Sequence, residues 1–489
     1  MKSKMFKKLM AASLATVMSV GLLACGGEKA PEATATPAPQ DSNNTATDPG
    51  TTGGDDPVES STALIDPATG KPYDLGGMEI IVRDWWSNPD QEPANEFQQA
   101  KADYIDEIEA TYNFTITQMA ISDWASAPAD FVDYVTTGGD DKNYVFILRE
   151  DAATTSAMAQ GLMYDLSTLD CLDFSEAKFQ SNKLHEQFST GDKIHCMYMG
   201  YSEPRTGMYF NKRLLREAGI DPETIYDMQA DGTWTWDAWT DLMSKVQRDI
   251  DSDGVIDVYG FDANISMPFN AAVYSNGSEY VGMENGKYVY KFEDPATVEA
   301  LNWMVDVCKN YGLVRPADAQ WDYYKQGFMN GECAFMPEDA YCANEGGWIT
   351  LEMADAQNGD IGFVMFPKGP QGEDYTNLWS NNPAAIPGCY DADRAWKIAF
   401  AYNLYTDDVP GYENYVDFSQ YRNGSFDFRA IDETLTMMIS KGMITYHGLI
   451  PNLNMNEPFQ WMLGANADIT AILEANRVSY NEYIDAANN

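Results

Sequence analysis

The chain has 489 residues, of which 13% are aromatic, and its 75 acidic and 31 basic side chains give a formal net charge of −44. Nucleic acid and anionic lipid are poor partners for such an acidic surface, because both carry charge of the same sign. The length exceeds what one hydrophobic core usually supports, so we expect two lobes.

The N-terminus predicts export. Four lysines within the first eight residues precede an apolar run, residues 9–24, that is too short for a comfortable membrane span. The run ends in Leu-Leu-Ala followed by Cys25, which resembles the bacterial lipobox, in which the cysteine is lipidated and becomes the first mature residue. We therefore expect residues 1–24 to be a signal peptide and Cys25 to carry a lipid anchor. The alternative is an ordinary secretory peptide with an incidental cysteine.

Residues 25–75 predict a disordered tether. After Cys25 they consist mainly of Gly, Pro, Ala, Thr, Ser and acids, with no aromatic residue before Tyr73. Such a composition cannot bury enough apolar surface to offset chain entropy. A flexible coil of about fifty residues has an end-to-end distance of roughly 35–40 Å. We expect a folded body, residues 76–489, held by its lipid alone at the outer face of the bacterial cytoplasmic membrane.

Strands and helices alternate at the start of this body. In chain order the sequence predicts a strand at 78–82, a helix that ends near Thr111, strands at 113–117 and 144–148, and a helix at 154–160. This alternation is typical of a mainly parallel α/β sheet. Ligands of such sheets bind beyond the carboxyl ends of the strands, and Trp85 and Trp86 follow the first strand.

The next part predicts a strand at 209–211, a helix closed by Gly219, and a helix capped by Thr235 with Trp236 at its first position. Residues 209–221 (YFNKRLLREAGID) and 233–239 (TWTWDAW) resemble the extracellular solute-binding proteins of ABC importers, in the family that includes the maltose-binding type.

Three downstream segments continue this resemblance in the same order. Residues 328–336 (FMNGECAFM), 360–370 (DIGFVMFPKGP) and 393–400 (DRAWKIAF) are similar to a strand, an inter-lobe crossing and a helix of that family. The resemblance implies an α/β fold, a two-lobed periplasmic-binding-protein-like clamshell with several inter-lobe hinge crossings. The expected first lobe spans about 76–198 plus about 375–430, and the second spans about 205–365 plus the C-terminal helices. It also implies a monomer that closes around one small-molecule solute and delivers it to the permease subunits of an ABC importer.

A sugar presents hydroxyls around two weakly apolar faces, so sugar receptors stack aromatic rings on the faces and direct polar groups at the edges. The segments that the resemblance places at the inter-lobe cleft contain both kinds of side chain. The predicted ligand-binding residues are Trp85, Trp86, Trp124, Tyr201, Glu203, Arg205, Trp348, Trp379, Asn381 and Asn382. We expect an oligosaccharide. A peptide or amino-acid-like solute is the alternative, because Arg205 could pair with a carboxylate.

Not every tryptophan is expected to face a ligand. Tryptophan is largely buried on average, so packing is the competing role for each candidate. The tryptophans in helical contexts are expected to pack in the core, and they are Trp234, Trp236, Trp239, Trp303 and Trp396.

An acidic loop suggests a structural calcium site. Asp249, Asp251, Asp253 and Asp257 follow the D-x-D-x-D-G-x-x-D order of an EF-hand loop. The twelfth position is a glycine in place of the bidentate glutamate, so Asp262 or a remote carboxylate would have to complete the shell. The alternative is an acidic surface turn. No cofactor is expected to be required for function.

The sequence gives little support to an enzyme. It contains three histidines and has no HExxH, GxSxG or P-loop motif. Carboxylate pairs are abundant, so a secreted carbohydrate-active enzyme is the alternative, and a structural surface protein is a further one.

Six cysteines follow Cys25, and none forms a CxxC pair. Their pairing does not follow from sequence. Because a body of this size does not need covalent crosslinks, we expect buried free thiols rather than disulfides.

Overall fold

The computed structural model describes residues 63–264, 266–454 and 468–488, all within one compact unit, Ser60–Asn489. The signal peptide, Cys25 and the predicted tether up to residue 62 lie outside the described residues.

The strands, in chain order, are β1 (Ile65–Asp66), β2 (Lys71–Pro72), β3 (Met78–Asp84), β4 (Phe114–Ala120), β5 (Asn143–Ile147), β6 (Ser189–Thr190), β7 (Lys193–Ile194), β8 (Thr206–Asn211), β9 (Tyr259–Phe261), β10 (Val281–Glu284), β11 (Lys287–Tyr290), β12 (Cys333–Asp339), β13 (Ile361–Met365), β14 (Asn377–Leu378), β15 (Ala384–Ala385) and β16 (Gly442–Met443).

The α-helices are α1 (Glu96–Tyr112), α2 (Ala127–Thr136), α3 (Ala152–Ala159), α4 (Ala177–Gln180), α5 (Leu184–Gln187), α6 (Lys212–Glu217), α7 (Glu223–Ala230), α8 (Trp236–Val246), α9 (Met267–Ser275), α10 (Pro295–Tyr311), α11 (Tyr323–Met329), α12 (Trp348–Glu352), α13 (Ala354–Gln357), α14 (Ala392–Tyr405), α15 (Ser419–Arg422), α16 (Thr436–Ser440) and α17 (Ile469–Ala487). Among these described helices, none is long and apolar enough to cross a membrane.

The first lobe is built on a sheet with the strand order β15-β5-β3-β4. β3 runs parallel to β4 and β5, whereas β15 is antiparallel to β5. Ile80 and Val82 of β3 are buried in alternation with less buried neighbours, as expected of a strand with one face on the core. The predicted mainly parallel sheet is thus confirmed for this lobe.

The folded region begins earlier than residue 76, where we expected the tether to end. β1 and β2 form an antiparallel hairpin. The backbone N–H of Leu64 donates to the hydroxyl of Tyr112 over 2.8 Å. The Tyr73 ring lies 5.0 Å from the ring of Trp396. Through these contacts, residues 64–75 form part of the first lobe.

The second lobe is built on a mixed sheet with the order β13-β8-β12-β9. β8 is antiparallel to both β12 and β13, and β12 is parallel to β9. Both faces of β8 are buried. The start of β8 and the carboxyl ends of β9 and β12 therefore lie at one edge of the sheet, next to the site described below.

Local signals explain the helices that follow β8. The Asn211 side chain accepts from the N–H of Leu214 at the start of α6, and Gly219 has the positive φ of 76° that ends it. Thr235 caps α8 as predicted. The rings of Trp236 and Trp303 stack 3.9 Å apart. The expected packing role is confirmed for all five tryptophans in helical contexts: Trp234, Trp236, Trp239, Trp303 and Trp396.

Segments 199–205 and 376–383 are crossings, meaning segments that pass between the lobes. The first runs from Met197, which bridges to Ala384, into β8. The resemblance suggested a return at 360–370, but residues 361–375 stay with the second lobe. Phe366 and Tyr375 are buried in its core, so the chain reaches the first sheet only at β15.

Two later segments also join the lobes. Tyr412 and Tyr415 pack on Phe97 of the first lobe, whereas Phe426 lies in the second core. Residues 426–438 contribute to this second core, although we expected the first lobe to extend to about 430. Leu449 packs with first-lobe residues again.

All six described cysteines are free thiols, in agreement with the sequence-based expectation. Cys196, Cys308, Cys333 and Cys342 are buried, and Cys171 and Cys389 are partly exposed.

Candidate functional site

Charged side chains from both lobes meet where the crossings join them. We call Glu150, Tyr198, Glu203, Arg205 and Asp339 the central cluster. Arg205 lies at its centre, with a guanidinium nitrogen 3.1 Å from the Glu203 carboxylate and another 4.0 Å from that of Asp339. Burial opposes the charge of Arg205, but these carboxylates outweigh it and raise the pKa of the guanidinium.

Strand register places Arg205 beside Asp339. Thr206, the first residue of β8, pairs directly with Asp339, the last residue of β12. The Thr206 hydroxyl donates to Asp339 over 3.2 Å. The backbone N–H of Arg205 also donates to Oδ1 of Asn377 over 3.1 Å, which ties the first crossing to the second. The guanidinium is therefore held at the edge of the second-lobe sheet.

Glu150 supplies a first-lobe carboxylate that the sequence did not single out. It follows β5, and its oxygens accept from the N–H of Asn381 over 2.7 Å and from Nε2 of Gln187 over 3.1 Å. Protein surrounds this carboxylate, and the desolvation raises its pKa to about 7, although the two hydrogen bonds and the charge of Arg205 oppose the shift. The only sequence signal was its place just after a predicted strand.

The crossings also carry polar atoms that are buried and have no hydrogen-bond partner among the residues described. They are Oγ of Ser202, Nε of Arg205, Nε1 of Trp379 and Oδ1 of Asn381. Leaving a polar atom buried and unpaired costs about 1–3 kcal/mol. Four such atoms on two neighbouring segments leave hydrogen-bonding capacity that water or an external ligand can complete.

The indole of Trp379 packs directly against Gly442. A Cβ atom at Gly442 would lie 1.2 Å from Cε2 of Trp379, so the indole occupies the space that any other residue would fill. The backbone N–H of Trp379 donates to the carbonyl of Met443 over 3.2 Å. The ring is partly exposed. Its orientation is therefore set by the backbone of β16.

Three predicted tryptophans lie on the first lobe. The rings of Trp85 and Trp86 meet edge to face 4.9 Å apart, and Trp86 is 52% exposed. The buried side chain of Asp84 stabilises the turn that carries both tryptophans, because it accepts a hydrogen bond from the backbone N–H of Trp86. Trp124 is 61% exposed and lies 4.5 Å from the guanidinium of Arg149, the neighbour of Glu150 in sequence.

Trp348 belongs to a larger group on the second lobe. Trp321, Tyr324 and Trp348 surround Lys325, and we call these four residues, together with Tyr341, the outer aromatic cluster. The Lys325 ammonium lies 5.9 Å from the ring centres of Trp321, Tyr324 and Trp348. Tyr341 joins the group to the central cluster, because its ring centre lies 5.7 Å from the Arg205 guanidinium. Sequence reasoning found Trp348 and missed the rest, since folding alone brings them together.

The predicted ligand-binding residues thus fall into several groups. Glu203, Arg205 and Asn381 lie in or beside the central cluster, and Trp379 is on the adjoining crossing. Tyr201 is 41% exposed and Asn382 is partly exposed, and neither side chain forms a hydrogen bond within the described part of the chain. Trp85 and Trp86 contact each other rather than the central cluster.

The acidic loop lies away from this site, between α8 and β9. Carboxylate oxygens of Asp249, Asp251 and Asp257 can all lie within 4.8 Å of one another. Asp253 is outside this group and accepts from the N–H of Val255 over 2.8 Å. Asp262, which we considered as a completing ligand, is buried and bonded to Arg315 over 2.8 Å. Calcium binding here stays a prediction, with a remote carboxylate or water left to complete the shell.

Several solved structures share this fold. A cyclic α-maltosyl-1,6-maltose-binding protein from Arthrobacter globiformis is 16% identical, with a TM-score of 0.58 over 84% of this chain and 99% of that chain. An ABC substrate-binding protein from Listeria monocytogenes in complex with cycloalternan is 15% identical, with a TM-score of 0.54 and coverages of 84% and 99%. The GacH receptor of Streptomyces glaucescens, solved unliganded and with acarbose, is 14% identical, with a TM-score of 0.53 and the same coverages. At these identities the likeness establishes the two-lobed fold alone.

Sequence comparison gives the family. A search of curated proteins found no match. The profile of the bacterial extracellular solute-binding proteins matches residues 119–397, more than half of the chain, and this segment includes β5, β8, β12 and both crossings of the site. The chain therefore belongs to the bacterial extracellular solute-binding protein family.

Proposed function

We propose that this protein is the lipid-anchored substrate-binding subunit of an ABC importer, and that it captures a neutral oligosaccharide between its lobes and delivers it to a membrane permease. Family membership supports solute capture outside the cell. The similar structures named above include proteins that bind cyclic α-maltosyl-1,6-maltose, cycloalternan and acarbose.

The observation that carries this proposal is the set of unpaired polar atoms on the two crossings. Nε of Arg205 and Nε1 of Trp379 are donors, Oδ1 of Asn381 is an acceptor, and the Ser202 hydroxyl can be either. A sugar hydroxyl both donates and accepts, so a glycan offers both kinds of hydrogen-bond partner that these atoms lack. Trp379 supplies an aromatic ring beside them, suited to the apolar face of a sugar.

The charges in the central cluster favour a neutral ligand. Arg205 already pairs with Glu203 and lies near Asp339. The carboxylate of a peptide or amino acid would have to displace one of these partners, and it would meet Glu150 as well. These contacts are why we prefer a sugar to the peptide alternative.

Capture is proposed to work by closure. A ligand favours a compact state only through contacts with both lobes. The central cluster takes Glu150 from the first lobe and Asp339 from the second, so a ligand there would draw the two together. We propose binding by a monomer, without turnover and without a required cofactor.

The decisive experiment is calorimetry on the purified mature protein with neutral oligosaccharides, uronic acid oligosaccharides, peptides and amino acids. We expect binding of a neutral glycan that depends little on salt, no release of shorter sugars, and a decrease in the radius of gyration in small-angle scattering. Arg205→Ala tests the alternative. If only a peptide or amino acid binds, weakened by salt and lost in Arg205→Ala, the carbohydrate proposal is wrong.

A further inference from the structure

Apart from Trp348, the residues of the outer aromatic cluster have no role in the site as described so far. We propose that it is an outer subsite, which binds an additional sugar unit of a solute whose inner part occupies the central cluster. This inference rests on the proposed function and adds to it a preference for a solute of more than one sugar unit.

The position of the cluster follows from the second-lobe sheet. Arg205 and Asp339 stand at the edge formed by the start of β8 and the carboxyl end of β12. Because β9 is parallel to β12, its carboxyl end lies at the same edge. Asp262 directly follows β9 there. Ligands of α/β proteins bind beyond such an edge.

Arg315 fixes the loop that carries Trp321 to this edge. Its guanidinium donates to Oδ1 of Asp262 over 2.8 Å, to the carbonyl of Ala263 over 2.7 Å and to the carbonyl of Trp321 over 3.0 Å. Asp262 is 1% exposed, so Arg315 is anchored to a carboxylate in the protein interior. One charge-assisted bond therefore ties the backbone of Trp321 to Arg315, and the remaining bonds of Arg315 fix it at the carboxyl end of β9.

The rings themselves are open to a ligand. Trp321 is 61% exposed and Tyr341 is 46% exposed, although both sit on backbone that is held in place. Tyr341 follows β12 directly, and its ring lies against Arg205. The exposed rings thus continue outward from the central cluster instead of forming a separate surface.

Lys325 gives the cluster a polar centre. Its ammonium contacts three rings, and within the described part of the chain it has no carboxylate within 4.0 Å. An ammonium without an ion pair can donate to sugar hydroxyls. β12 contributes two acids, the buried Glu338 and the partly exposed Asp339, so the surroundings favour an uncharged sugar unit over an acidic one.

The test is calorimetry of the mature protein with α- and β-linked gluco-, manno- and xylo-oligosaccharides of one to six units. The variant is Trp321→Ala, which truncates a 61% exposed side chain and therefore leaves no cavity in the core. The matched control is Phe428→Ala, which truncates a 72% exposed ring at the opposite end of β8, where Asp427 pairs with Lys212. Lys325→Met serves as a second variant that removes the ammonium and keeps an apolar stem.

We expect wild-type affinity to rise with chain length up to the unit that reaches the outer cluster. Trp321→Ala should remove this gain, which lowers the affinity for the longer sugars roughly tenfold, as expected for one lost stacking contact. The affinity for shorter sugars should not change. Lys325→Met should reduce the same gain, and Phe428→Ala should change nothing. If the wild type binds a glycan and both cluster variants match it at every length, the subsite is wrong and the proposed function stands. If the wild type binds no oligosaccharide, the proposed function fails, and the subsite fails with it.

Discussion

The backbone N–H of Asn381 donates a 2.7 Å hydrogen bond to the Glu150 carboxylate and so ties the second crossing to the end of β5. Gln187 donates to the other carboxylate oxygen over 3.1 Å, and its amide also lies 3.4 Å from the carbonyl of Thr445. A single first-lobe carboxylate therefore connects two segments that join the lobes.

This arrangement predicts a pH dependence of stability. Desolvation raises the pKa of Glu150 from 4.5 to about 7 in the folded state, so the folded protein binds this proton more tightly than the unfolded chain does. The resulting stabilisation is complete below pH 4.5 and is lost as the pH rises to about 7. Glu150→Gln, which stays neutral, should gain stability relative to wild type between pH 5 and pH 8.

The measurement is urea unfolding of both proteins at each pH. The control is Glu352→Gln, which removes an exposed carboxylate on α12 and should not reproduce this gain in stability. A constant difference for Glu150→Gln would show that this carboxylate is not desolvated in the folded protein.

The packing of Trp379 against Gly442 predicts that a substitution at Gly442 weakens ligand binding. Alanine at Gly442 would place a Cβ atom 1.2 Å from the indole, so the ring must move. We expect Gly442→Ala to weaken binding of the solute as much as Trp379→Ala does, by several kcal/mol, as for a large hot-spot truncation.

Gly448→Ala is the matched control, because a Cβ atom there meets nothing within 4 Å. Calorimetry on the three variants checks the prediction, with circular dichroism to confirm folding. Wild-type affinity in Gly442→Ala together with a loss in Trp379→Ala would mean that the indole binds equally well when displaced.

The sequence predicted the architecture better than the site. Strands such as β3 and helices such as α8 carry their own signals, namely a short apolar run and the Thr235 cap, so their order followed from the sequence. The return of the chain from the second lobe to the first was expected at residues 360–370, which is too early in the chain. Residues 361–375 are part of the second core instead of leaving it.

Site residues are harder to predict from sequence, because their proximity depends on how distant segments of the chain pair with each other. Arg205 and Asp339 become neighbours only through the pairing of β8 with β12. Trp321 reaches the site edge through the contacts of Arg315, which no spacing in the sequence reveals. The candidates named from sequence were aromatic and polar residues in the segments that the resemblance placed at the cleft, whereas Glu150 and Asp339 could not be chosen among 75 acids.

The acidic loop predicts a calcium effect on stability. If Asp249, Asp251 and Asp257 bind the ion, a chelator should lower the melting temperature, because an ion that binds only the folded state stabilises it. Asp251→Ala should abolish this sensitivity. Asp241→Ala, which changes an exposed acid on α8, should retain it. Equal melting temperatures in excess chelator and in excess calcium would identify the loop as an acidic turn.

The N-terminal cysteine predicts the attachment to the membrane. Only a thiol can accept the lipid, so Cys25→Ser should produce a protein without the lipid mass, either released or retained through an uncleaved signal peptide. Cys171→Ser is the matched control, since this partly exposed thiol lies in the folded body and should leave lipidation intact. Mass spectrometry and detergent partitioning of both variants give the answer. A Cys25→Ser protein that still enters the detergent phase with the wild-type lipid mass would show that the anchor is elsewhere.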